Sequence, residues 1–420
     1  MTTSLRAERE CSFRIAVRKF GPFESAIAKQ WQSFEDNAHT GLQLNPVSLD
    51  LESLHRQLFQ DHGLANGSYD VAMVSTDWLA EANATQGLFD LAPYLASSPP
   101  EGYPSAYSES LQRLQRFDER VFGLPYHDGP ECLIYRRDLF EDSAEQLHFE
   151  QQFGEPLMVP RTWEEFRRVA RFFTRPGQGL YGTVFAGYPD GHNSVYDFCL
   201  QLWSRGGELF DQSGRIQIDT PESREGLEYY RSIFHDRHAI HPDSATFDSV
   251  KSGLAFAYGE VAMMVNWFGF AAMSETIDAS RVKGKTAVAA IPSENGRGIS
   301  LNAYWIMGIP AGSLHLDIAC RFLAHCARPE MDKLLTLEGA IGCRKTTWSD
   351  NEVNAVIPYY HHLEKLHENA RDLPRLSNWS SIAKVIDRMM IDAIETGRPI
   401  AAITASAQEK ACLIELSERD

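Results

Sequence analysis

Apolar and polar residues alternate through Phe13-Arg-Ile-Ala-Val17, which predicts a β-strand that ends at Lys19-Phe-Gly-Pro-Phe23. Residues 25–36 then place Ile27, Trp31 and Phe34 at helical spacing, so a helix is expected there. Residues 42–49 alternate again, and 51–58 are amphipathic. Tyr69-Asp-Val-Ala-Met-Val74 is a nearly continuous apolar run bounded by turn residues, the pattern of a strand covered on both faces. A helix is expected over 78–86. Strand and helix taking turns in this way predict an α/β sheet protein.

The middle of the chain continues the alternation. Phe122-Gly-Leu-Pro-Tyr126 leads into a strand-like Cys132-Leu-Ile-Tyr135, and residues 150–160 read as a loop. Thr162 followed by Trp163, Glu164 and Glu165 is an N-cap with an acidic first turn. A strand is expected over 182–186 and a helix over 194–203. Residues 221–234 form the clearest helix: Thr220 caps it, Pro221 opens it, and Leu227, Tyr230 and Ile233 share one face. Strands follow over 287–291 and 304–309. After Leu316 the pattern is wholly helical, with breaks near Gly342, Pro374 and Gly397.

With 43% hydrophobic and 23% charged residues, the 420-residue chain has the composition of a globular protein large enough for two lobes. A net charge of −17 repels phosphate backbones, which argues against nucleic acid and against anionic membrane surfaces. The most apolar stretch, 254–273, contains Glu260 and Asn266 and reads as a buried strand with its flanks rather than a membrane span. No apolar run of leader length precedes Phe13, so the chain is expected to be cytoplasmic or to have lost its leader. The 7 cysteines include no C-x-x-C, and Cys320 and Cys326 lie too far apart along a helix to bridge, so free and mostly buried thiols are expected.

Few chemical motifs survive scrutiny. Gly177-Gln-Gly-Leu-Tyr-Gly182 has the spacing of a dinucleotide loop, but it follows a helix and opens a strand, the reverse of what that loop requires. His235, His238 and His241 fall at a solvated helix end, and His361, His362 and His367 form a similar tract. Neither points to a metal, and no cofactor is expected. Aromatic residues beside polar ones at predicted strand ends are more informative. They are Phe20 and Phe23, Thr76-Asp77-Trp78, Tyr126-His127-Asp128, Asn266-Trp267-Phe268, and Asn302 with Tyr304-Trp305. Sugars offer C–H faces that stack on rings and hydroxyls that pair with planar polar groups. In open α/β sheets, ligands lie beyond the carboxyl ends of strands.

These stretches resemble the extracellular solute-binding proteins of the sugar-binding family that serve ABC importers, the maltose-binding-protein-like group. The resemblance runs from residue 13 to about 350. It rests on Tyr69-Asp-Val-Ala-Met-Val-Ser-Thr-Asp-Trp-Leu-Ala80 with Gly87-Leu-Phe-Asp-Leu-Ala-Pro-Tyr-Leu95, and on Phe122-Gly-Leu-Pro-Tyr-His-Asp-Gly129 through Leu133-Ile-Tyr-Arg-Arg-Asp-Leu-Phe140. Pro160-Arg-Thr-Trp-Glu-Glu-Phe166, Phe256-Ala-Tyr-Gly-Glu-Val-Ala-Met-Met-Val-Asn-Trp267 and Gly339-Ala-Ile-Gly-Cys-Arg344 complete it, in this order. It implies a two-lobed α/β periplasmic-binding-protein-like fold with a ligand cleft between the lobes and hinge crossovers. The lobes are expected at 12–123 plus 267–312 and at 124–266 plus 313–420.

The site residues expected from this reading are Phe20, Gly21, Phe23, Ser75, Thr76, Asp77, Trp78, Tyr126, His127, Asp128, Asn193, Trp267, Phe268, Asn302, Tyr304 and Arg344. Ser75 stands where many relatives have an aspartate, with Asp77 two residues on. One sugar ring would stack on Trp267, while Asp77, Asp128, Asn302 and Arg344 would bond hydroxyls or an acidic substituent. The expected role is capture without chemistry by a monomer that docks on an ABC permease, in the periplasm or at the cell surface. The competing readings are a two-lobed enzyme acting on a saccharide and a cytoplasmic sugar sensor. A polyamine or peptide is a further ligand class that the acidity allows.

Overall fold

A computed structural model describes Arg9 and residues 11–416, which divide into two compact units. Unit 1 comprises residues 1–129, 303–364 and 373–377, and unit 2 comprises 130–302, 365–372 and 378–420.

The five-stranded sheet of unit 1 runs Gln43–Leu49, Ser12–Arg18, Val71–Ser75, Trp305–Gly308, Leu124–His127. The first three strands are parallel, and Trp305–Gly308 is inserted antiparallel to both of its neighbours. Gln43–Leu49 is the edge strand and contains Pro46, a residue that a strand tolerates only where no partner needs its N–H. The helix Gly21–Ala38 buries Phe23, Ala26, Ile27, Trp31 and Phe34, a stripe at three- and four-residue spacing. Its Trp31 stacks on Phe13 at 4.7 Å, and Phe322 of the helix Leu316–Cys326 meets both rings edge-on. Each of these rings removes on the order of 150–250 Å² of surface from water.

Unit 2 is built on a four-stranded sheet in the order Thr286–Ala289, Glu131–Arg136, Val261–Trp267, Tyr181–Val184. Val261–Trp267 runs parallel to Tyr181–Val184 and antiparallel to Glu131–Arg136, and its first six residues are buried. The helix Trp163–Phe173 begins with the expected Thr162, whose hydroxyl accepts from the Glu165 N–H while the Glu165 carboxylate accepts from the Thr162 N–H. Its buried residues Trp163, Phe166, Val169, Ala170 and Phe173 face the strand Tyr181–Val184. The helix Pro221–Phe234 matches its predicted limits, and the Thr220 hydroxyl accepts from Ser223 N–H.

Three expectations change. Residues 150–153 end a helix, Ser143–Phe153, which the polar sequence conceals. Asp142 caps its start by accepting from Ala144 and Glu145, and Gly154 closes it at a φ of 74°. The helical C-terminal part contains one short strand, Ala370–Asp372, paired parallel with Ser300–Asn302. The lobe boundaries also move. Residues 267–302 belong to unit 2, because Val261–Trp267 and Thr286–Ala289 both pair with Glu131–Arg136. Residues 313–364 belong to unit 1, where the helices Leu316–Cys326 and Pro329–Leu337 pack on Gly21–Ala38. The apolar stretch 254–273 is divided among the helix Ser249–Ala257, the strand Val261–Trp267 and the helix Phe268–Thr276. Among the described residues no helix is long and apolar enough to cross a membrane.

Candidate functional site

In unit 1 the sheet direction gathers most of the expected residues on one edge. The carboxyl ends of Ser12–Arg18, Val71–Ser75 and Leu124–His127 point the same way, and the antiparallel Trp305–Gly308 begins there. Ser75 and His127 are each in register with Trp305. Phe20 caps the helix Gly21–Ala38 with extended backbone, and Pro22 pre-sets the first turn after Gly21. Phe23 meets Phe20 edge-on at 5.1 Å and His127 edge-on at 4.7 Å. Ser75 Oγ donates to the Asp77 carboxylate, which is itself buried.

His127 is fixed by a distant loop. Its Nδ1 accepts from the Ile341 N–H at 2.9 Å, and the Asp128 N–H returns to the Ile341 carbonyl at 3.0 Å. That bond assigns the proton of the neutral ring to Nε2, a donor. Burial pulls the imidazole down to about 4, with the Asp128 carboxylate opposing, so the ring is neutral at pH 7. The loop is held in turn by Asp332, fully buried, which accepts from Cys343 N–H at 2.8 Å, Arg344 N–H at 3.2 Å and Thr347 Oγ at 2.6 Å. Neither Asp332 nor Ile341 was expected at the site, because their contact with it spans more than 200 residues of sequence.

Other expected residues lie inside the fold and support the edge from behind. Tyr126 OH donates to Gln30 at 2.9 Å, and Tyr304 OH donates to the Leu111 carbonyl. Thr76 and Tyr304 bond each other twice, through Thr76 N–H to the Tyr304 carbonyl and Tyr304 N–H to Thr76 Oγ1. Arg344 is 3% exposed, and its Nη1 donates to the Ala327 carbonyl at 2.7 Å. Trp78 is 2% exposed and meets Trp305 edge-on at 5.6 Å. The partly exposed ring of that pair is Trp305, the strand neighbour of the expected Tyr304.

In unit 2, Trp267 ends its strand half-buried, its N–H donating to Asn266 Oδ1 and its ring meeting Tyr196 edge-on at 5.3 Å. Tyr196 OH lies 2.5 Å from His192 Nδ1. Asn193 starts the helix Asn193–Trp203, with its N–H and that of His192 both donating to Asp190 Oδ1 at 2.9 Å. Phe268 is fully buried. Asn302 is 1% exposed, and neither polar atom of its side chain has a hydrogen-bond partner. Tyr196, His192 and Glu131 were not expected; Glu131 is in register with Trp267 across the antiparallel pair and so shares its face.

Glu131 and Asp197 form a buried acid pair. Burial and the Asp197 charge drive Glu131 well above the usual carboxylate range. Burial pushes Asp197 up to about 7 against the bond it accepts from Tyr230 OH. The folded pair keeps protons that the unfolded chain releases above about pH 4, so its stability is present at low pH and is lost as pH rises through 7. Asp197→Asn is therefore expected to gain unfolding temperature relative to the unaltered protein between pH 5 and pH 8. A difference that stays flat across that range sinks the assignment. The histidine tract does not converge: His235 Nε2 lies 2.8 Å from the Ile394 carbonyl, and His241 packs against Tyr181 and Phe247.

The family model of bacterial extracellular solute-binding proteins matches residues 18–333. The chain belongs to that family. This solute-binding protein is 24% identical over 280 residues to a Brucella abortus (strain 2308) protein named only for binding, a match that covers 66% of this chain. The chain spans about 61% of the length of that curated relative. Among solved structures, maltose-bound MalE3 of T. maritima is similar at a TM-score of 0.84 and 21% identity, covering 96% of this chain and 99% of that one. A ribitol-bound ABC transporter solute-binding protein from Agrobacterium radiobacter K84 gives 0.84 and 22%, covering 96% and 98%. The two-lobed α/β fold of periplasmic binding proteins is thereby established, and the family is one of binding proteins rather than enzymes.

Proposed function

We propose that this solute-binding protein captures a carbohydrate, leaves it chemically unchanged and delivers it to the permease of an ABC importer, working as a monomer in the periplasm or at the cell surface. The observation that carries the reading is the set of partly exposed rings beside polar groups at strand ends. In unit 1 these are Phe20, Trp305 and His127 beside Ser75 and Asp77; in unit 2 it is Trp267, which the buried Tyr196 supports edge-on. Rings take the C–H face of a sugar, and the neutral His127 Nε2–H and the Asp77 carboxylate take hydroxyls. The maltose and ribitol of the two similar structures are both polyhydroxylated ligands, which supports the same class here.

A thermal-shift screen over sugars, sugar acids, polyols, polyamines and amino acids tests the class, since a ligand at about 100 times its Kd stabilises the native state by about 2.7 kcal/mol. The expected outcome is a shift confined to one polyhydroxylated class, with the ligand recovered intact; recovery of an altered ligand overturns the reading. Trp267→Ala is expected to weaken binding by about 1–3 kcal/mol, roughly 5- to 150-fold in Kd by calorimetry. Unchanged affinity removes Trp267 from the site. Hinge closure on the ligand, implied by the family resemblance, predicts a smaller radius of gyration by solution scattering when the ligand is added.

A further inference from the structure

Unit 1 has a cavity of about 560 Å³, lined from the end of Gly21–Ala38, from Tyr94 and residues 99–101, and from residues 321–330. That volume suits a small ligand. His325 lines it while 7% exposed, and its Nε2 has no hydrogen-bond partner. Such an atom, cut off from water, is destabilising unless something bonds it. Phe34 lies edge-on to His325 at 5.7 Å and carries the Arg321 guanidinium over its ring at 5.7 Å.

The charges of this lining are balanced and separate. Among the described residues, the one carboxylate within 4.0 Å of Arg321 is that of the exposed Asp317, at 3.7 Å. No opposite charge lies within 4.0 Å of Arg328, Glu101 or Glu330 among the described residues. Burial and the charge of Arg328 hold the His325 imidazole below its ordinary range, so the ring adds no charge at pH 7. A simple anion would meet two glutamates here, and a simple cation two arginines. A zwitterion satisfies both signs at once, with carboxylate on a guanidinium fork and ammonium on a glutamate.

We propose that this cavity binds an α-amino acid zwitterion with an apolar side chain. Its carboxylate lies on Arg328, its ammonium faces the glutamates, and its side chain lies against Tyr94 and Pro99. The site is separate from the residues assigned to carbohydrate capture and shares none of them.

The probes are L-phenylalanine, 3-phenylpropionate, which lacks the ammonium, and phenethylamine, which lacks the carboxylate. The readout is the His325 ring resonances of the full-length protein, assigned with His325→Gln. Phenylalanine is expected to shift these resonances saturably, with the acid and the amine at least tenfold weaker. Arg328→Ala, at an exposed position, is expected to weaken phenylalanine at least tenfold, and Trp267→Ala to leave it unchanged. The proposal is overturned if there is no saturable shift up to about 10 mM, if the three probes bind equally, or if affinity survives Arg328→Ala. Loss in Trp267→Ala alone also overturns it, and places the amino acid at the site assigned above to the carbohydrate.

Discussion

Asp332→Ala is expected to lower the unfolding temperature by about 6–12 °C, the equivalent of about 3 kcal/mol or more for a unit of this size. The carboxylate is fully buried and accepts three hydrogen bonds, from Cys343 N–H, Arg344 N–H and Thr347 Oγ. Removing it strands two backbone donors and a hydroxyl where water does not reach, and each costs about 1–3 kcal/mol. Gly342 closes the same turn so tightly that a Cβ there would lie 2.4 Å from the Asp332 carboxylate, which fills the space inside the turn. The substitution should also reach the candidate site, because the loop carries the Ile341 N–H that orients His127. Differential scanning calorimetry with ligand titration checks both effects. An unchanged melting temperature would show that the loop stands without the carboxylate.

Gly182→Ala is expected to be as damaging, or to prevent accumulation of folded protein. A Cβ at this position would lie 1.8 Å from the Ala170 carbonyl oxygen and 2.3 Å from its carbon, inside the backbone of the helix Trp163–Phe173. Neither the strand nor the helix backbone yields as a flexible side chain does, and over-packing in a close-packed interior costs about 1–3 kcal/mol even in milder cases. Gly177 and Gly179, whose added Cβ atoms would meet nothing within 4 Å, supply the contrast. Gly177→Ala should leave the melting temperature within about 1 °C, since surface changes away from special features usually fall within about 0.5 kcal/mol. Comparable losses at both positions would refute helix–strand packing as the reason for Gly182.

That contrast shows what the sequence reveals and what it hides. The spacing Gly177-x-Gly179-x-x-Gly182 and its order of helix before strand were visible in the chain, and they argued against a phosphate loop. That Gly182 alone of the three is required by packing depends on Ala170, twelve residues earlier in the helix Trp163–Phe173. Helix limits were legible where caps and stripes agree, as at Thr220 and Thr162, because the signals are local. Ser143–Phe153 was illegible because its outer face is polar and only Phe149 is buried.

The strand ends of the candidate site were legible for the same local reason, but the division of labour among their residues was not. Tyr126, Tyr304 and Arg344 carry polar groups suited to a ligand, and Gln30, Leu111 and Ala327 take them instead. Those partners are 17 to 193 residues away. The lobe boundaries failed on the same scale, since two strands more than 120 residues downstream both pair with Glu131–Arg136.

All 7 cysteines are free, and Cys132, Cys199, Cys326 and Cys343 are buried with their thiols pushed well above the ordinary range by burial. A thiol held in that form is a poor nucleophile, so the folded protein keeps these sulfurs out of thiol–disulfide exchange even where the surroundings are oxidising. The unfolded chain has no such protection. The same cysteines are exposed together there, and an oxidant that acts before the fold buries them can pair them at random. The interior of this protein thus sets a race between folding and oxidation, and every chain that loses it is trapped by a covalent error the native structure has no means to use.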